Sequence, residues 1–165
     1  MPVAQSAVIA ITMDLSALPT SSSFLTGVES NQIDNTGLNY IDALLYIKGI
    51  TGHATTAPAI GQSINVYVWG SDVSLAVTPI DVLDGVASAE TLSHEQVLKA
   101  LRLAGAAAAT STVAALVYRI EPVSIAALFG GVMPKFWGCY GAQSQAGALG
   151  AANNNLLSYV GYTLT

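Results

Sequence analysis

The apolar residues of this chain come in short β-branched and aromatic runs, each stopped by a cluster of Gly, Pro, Asn or Ser, and that rhythm narrows the fold most. Residues 63–69 (SINVYVW), ended by Gly70-Ser71-Asp72, are the clearest case. Over residues 39–50, Ile41, Ala43, Leu45 and Ile47 make one uniformly apolar face, whereas Tyr40, Asp42, Leu44, Tyr46 and Lys48 make the other. Such alternation belongs to a strand with one face in a core. The turn signal Asp34-Asn35-Thr36-Gly37 separates it from a strand at 24–29. Further strands are expected at 7–15, 75–77, 114–120, 136–140 and 158–164, with another element at 123–129 closed by Gly130-Gly131.

The segment 93–104 reads two ways. Ser93 and Gln96 have capping-box spacing, and Val97, Ala100, Leu101 and Ala104 share a helical face. A strand ending near Ala108 agrees better with its β surroundings and is the preferred reading. About eight short strands between turn signals define an all-β chain, a single antiparallel β-sandwich with minimal helix. A jelly-roll-like order is the expected topology. Residues 1–165 form one domain with a short N-terminal arm, since no break in composition divides them.

Charge is scarce: five Lys or Arg and ten Asp or Glu among 165 residues. A monomer of this mass exposes roughly 7,700 Å², so each charge has about 500 Å² to itself. With hydrophobic residues at 52%, the composition describes a subunit whose surface is largely covered by neighbours. A net charge of −5 and no basic cluster argue against nucleic acid as a partner. The single cysteine, Cys139, excludes an intrachain disulfide and a Cys-rich zinc site. No basic residue precedes Lys48, so no conventional secretory signal is expected, and the alanine-rich stretch 103–117 is too short and too broken to span a membrane.

Catalytic chemistry finds little footing. His94-Glu95 with Asp81 and Asp84 is the nearest approach to a titratable cluster, and a solvated acidic loop accounts for it. Cys139 follows Phe136-Trp137-Gly138 with no basic neighbour to activate it. No nucleophile elbow or phosphate loop occurs. The chain is therefore expected to be no enzyme and to need no cofactor or metal. Trp69, Trp137, Tyr67, Tyr140 and Tyr159 could line a sugar-binding face, or they could fill a sandwich core.

Three stretches carry a resemblance. Residues 27–35 (GVESNQIDN) run into the apolar strand YIDALL; residues 65–71 read NVYVWGS; and residues 128–138 (LFGGVMPKFWG) precede a Gln/Gly/Ala loop and a terminal Tyr-Val-Gly-Tyr strand. Together they resemble small virion structural proteins of tailed bacteriophages, including capsid decoration (cement) proteins. That resemblance implies a non-enzymatic protein made in the host cytoplasm and carried on the capsid exterior. Its partners would be the major capsid protein and its own copies, as a dimer or trimer. A tail, neck or head-fibre component and a carbohydrate-binding sandwich are the alternatives. Contact segments are expected in the arm Met1, Pro2, Val3, Ala4 and Gln5, in the loop 51–62 with His53 and Pro58, and in 141–155 with Gln143, Gln145, Asn153, Asn154 and Asn155.

Overall fold

A computed structural model describes residues 2–47, 50–149 and 157–165. Two antiparallel sheets face each other. Sheet I has the order β1 (Val3–Gln5), β13 (Leu157–Leu164), β5 (Asp42–Ile47), β11 (Val123–Ser124), with β2 (Ile9–Ala10) also paired to β13. Sheet II runs β8 (Ala89–Thr91), β3 (Thr26–Glu29), β12 (Phe136–Gln143), β7 (Ser63–Ser71), β9 (Arg102–Ala108), and β4 (Ile33–Asp34) pairs with β12. The short pair β6 (Ile50–Thr51) and β10 (Val117–Tyr118) stands apart. The all-β sandwich expected from the turn-separated runs is present. Its described strands number thirteen rather than eight, because short strands such as β1, β4 and β8 also form in segments where no strand is expected.

Alternation places the core. Ala43, Leu45 and Ile47 of β5 point inward beside Leu157 and Tyr159 of β13, and meet Val66, Val68, Trp137 and Cys139 from sheet II. The Trp137 and Tyr159 rings meet edge to face at a centroid distance of 5.1 Å and join the two sheets.

Sheet II is covered on its other face too. Trp69, Tyr140 and Ala142 point away from sheet I and pack with Leu75, Leu83, Leu92 and Leu101. Those leucines come from the long excursion between β7 and β9, which folds back as a third, mostly irregular layer that carries the helix α1 (Glu95–Ala100) and lends β8 to the edge of sheet II. Consequently β12, central in its sheet, is buried on both faces from Trp137 to Gln143.

Two expectations are corrected. Residues 75–77 form a turn, with Val77 N–H donating to Ser74 O, because Leu75 serves as a single plug into the third layer. The segment 93–104 holds α1 first and β9 after it, not one strand; Leu101 N–H closes the helix on Leu98 O. Within 123–129, β11 gives way to the four-residue helix α2 (Ile125–Leu128), started by the Ser124 hydroxyl accepting Ala127 N–H and by Asp42 accepting Ala126 N–H. In the N-terminal segment, Val3, Ala4 and Gln5 pair in register with Leu164, Thr163 and Tyr162.

Candidate assembly surface

The residues expected at contacts are scattered. Pro2, Val3 and Gln5 are exposed on the outer strand of sheet I, and Ala4 is half-buried there. His53 is half-buried; its Nδ1 accepts the N–H groups of Thr55 and Thr56 at 3.2 and 2.8 Å, which ties the imidazole into its own loop. Pro58 is buried. Gln143 and Gln145 are interior, at 0% and 2% exposure. Gln143 Nε2 donates to Leu18 O at 2.7 Å, and Gln145 O accepts the Thr20 hydroxyl; the pair anchors the loop before β3 to the end of β12. Met1, Asn153, Asn154 and Asn155 lie outside the described residues.

Sites for chemistry fare no better. Among the described residues, no group of three or more His, Cys, Asp or Glu stands close enough to hold a metal ion. Asp81 accepts Ser93 N–H at 2.7 Å, and that bond, with the nearby His94, holds its carboxyl below the usual range. Glu95 pairs with Lys99 along α1 at 3.5 Å. Asp81, His94, Glu95 and Lys99 are all exposed. Trp69, Trp137, Tyr140 and Tyr159 are buried in the two cores, which leaves only the half-buried Tyr67 of the rings proposed for a sugar face.

One flank stands out instead. Residues 49–71 and 103–118 contain no Asp, Glu, Lys or Arg. The fold brings these two stretches together: β7 pairs with β9, β6 with β10, Gly52 N–H donates to Leu116 O, Ala115 N–H to His53 O, and Gly61 N–H to Ala109 O. The flank exposes Ile60 at 71%, Leu103 at 50%, Val113 at 63% and Val117 at 51%. An open groove of about 320 Å³ borders it, between Tyr46, Val117, Ile120 and Pro122, with Arg119 and Glu121 at the rim. No family model, curated protein or solved structure matches this chain.

Seven of the fifteen charges fall instead between Asp72 and Arg102, in the third layer and at the start of β9. The accessible surface of 7545 Å² matches the size expected of a compact monomer, so the low charge density belongs to real surface and not to an unusually large core. Exposed apolar side chains set in an uncharged flank are the usual chemistry of a surface that becomes covered. The run of small residues in β9 was legible in sequence. Its position at the edge of a sheet was not, because the pairing partner β7 lies far away along the chain.

Proposed function

We propose that this chain is a non-enzymatic virion structural protein that binds the outer capsid surface between capsomers and stabilises the shell. The observation that carries this reading is the uncharged flank with Ile60, Leu103, Val113 and Val117 exposed. Where neighbouring subunits meet, such a surface gains apolar burial with no charge to desolvate. The sandwich supplies a rigid body for the task, since sheet II is covered on both faces and its central strand is fully enclosed. The resemblance in the three sequence stretches supports the same class. The major capsid protein and further copies of the chain are its proposed partners, and the capsid exterior its proposed location.

Quantitative mass spectrometry of purified particles of the phage encoding the chain tests this reading. Copies comparable in number to the capsid lattice are expected. A handful per particle would assign the chain to the tail, neck or a head fibre, and absence from particles would overturn the virion reading altogether.

A further inference from the structure

Backbone groups, rather than side chains, make the most specific offer on the uncharged flank. Strand β9 is the last in the order of sheet II and pairs along one side only, with β7. Ala109 N–H donates to Gln62 O at 2.7 Å just beyond the strand. Antiparallel alternation then turns Ala107 and Gly105 toward β7 and leaves the N–H and C=O of Ala106 and Ala108 pointing away. Among the described residues these outward groups have no backbone partner.

Free edges of this kind are normally guarded by brevity, charge or proline. The other sheet edges here follow the first device: β1 and β8 have three residues, and β2 and β11 have two. Strand β9 has seven residues, and after Arg102 it carries neither a charge nor a proline. A bulge beside Ala104 twists its beginning, but Gly105 to Ala108 stay in regular register with Val66 to Ser63. Gly105 also lets Ile120 lie over the inner face of the sheet at this edge, so the face is filled while the edge stays open.

We propose that the open edge of β9 docks on β9 of a second copy of this chain, antiparallel about a two-fold axis, so that sheet II continues from one molecule into the other. Two copies of one strand run antiparallel offer matching donors and acceptors with no further adaptation. The flank around the edge is uncharged, so two molecules of net charge −5 can approach there without bringing like charges together. The register that uses both outward residues sets Ala106 of each copy opposite Ala108 of the other, centred on Ala107. The two Arg102 residues are then about 34 Å apart at 3.4 Å per residue, well beyond the Debye length of about 8 Å at physiological salt. Leu103 within the strand and Ile60 in the loop at its far end are both exposed and widen the contact. The pairing is independent of the virion reading: it concerns the free protein, and it favours a two-fold pair over a trimer.

The test uses the purified full chain, with molar mass from light scattering at tens of micromolar. Wild-type protein is expected at twice the chain mass of 16.9 kDa. The variant Ala106→Pro removes an outward N–H without touching the β7 ladder, and is expected at the single-chain mass with an unchanged circular dichroism spectrum. If the proline variant does not fold, Ala106→Lys places a charge at the same exposed position and is expected to be monomeric. Hydrogen exchange supplies a second reading: the Ala106 and Ala108 amides should exchange at least about tenfold more slowly in the wild type than in the lysine variant. A monomeric or trimeric wild type, a lysine variant that stays dimeric, or exchange at these amides equal in both proteins would each overturn the proposal. None of these results would alter the copy number in particles, so the two ideas fail separately.

Discussion

The indole of Trp69 fills the space that a side chain on Gly138 would occupy. The two residues are direct cross-strand partners in β7 and β12, and a Cβ on Gly138 would come within 2.7 Å of indole Cε2. Strand β12 is enclosed on both faces, so neither residue has room to move aside. Gly138→Ala is therefore expected to destabilise the fold by roughly 1–3 kcal/mol through overpacking. A lowered urea midpoint checks this; an unchanged midpoint would show that Trp69 can shift freely.

Trp137, on the opposite face of the same strand, joins the sheets through its edge contact with Tyr159. Trp137→Ala should cost roughly 3–5 kcal/mol, the range for buried aromatic truncations. Urea unfolding followed by the remaining tryptophan, Trp69, measures it. A variant as stable as wild type would mean that the inter-sheet contact contributes little.

Glu29 is fully buried, and its carboxylate accepts the N–H groups of Asp84 at 3.1 Å and Gly85 at 3.0 Å. Burial outweighs those two bonds and pushes its pKa up to about 7, with Asp84 and Glu90 as the facing charges that add to the effect. Because the folded state holds this proton more tightly than the unfolded chain, at 4.5, the stabilisation is complete below pH 4.5 and is lost as pH rises through 7. The loss is on the order of 3 kcal/mol. Unfolding midpoints should thus fall between pH 5 and pH 8 in the wild type, and fall much less in Glu29→Gln. An equal slope in both proteins would place the titration elsewhere.

Cys139 is buried in the core between the sheets, which pushes its thiol up to about 12. At pH 8 a thiol reagent should find no reactive group in the native protein and one per chain in denaturant. Rapid labelling of the native state would reveal an opening of the sandwich at β12.

Strands whose neighbours repeat every second residue could be read directly. In β5, the burial of Ala43, Leu45 and Ile47 follows the alternation of the sequence, whereas β7 runs two residues past the expected end at Trp69, because Gly70 and Ser71 still pair with Trp137 and Phe136 of β12. The third layer left no such trace. Leu75, Leu83, Leu92 and Leu101 are buried singly and lie too far apart to show a helix or strand repeat, because their order comes from the outer face of sheet II and not from a local element. Ile11 and Met13 fall in the strand expected at 7–15 and are buried, although only Ile9 and Ala10 pair as β2 and Ile11 N–H adds a single bond to Leu157 O. Of the contact residues expected from sequence, Gln143 and Gln145 were polar side chains inside a loop-like stretch of Gly and Ala. Polarity pointed outward, whereas β12 extends through Gln143, and Gln145, just beyond it, is buried as well. The free edge of β9 depends on long-range pairing and could not be read from its alanines alone.

Strands β1 and β13 lie side by side, and Thr165 N–H donates to Pro2 O at 3.0 Å. Residues so distant in sequence are thus neighbours in space, and a short flexible linker could close the polypeptide into a ring. New ends could then be cut at the exposed Gly130-Gly131 turn, where both glycines have positive φ and open surroundings. The permuted order would keep every sheet pairing while moving a fused peptide from the rim of sheet I to the tip beside α2.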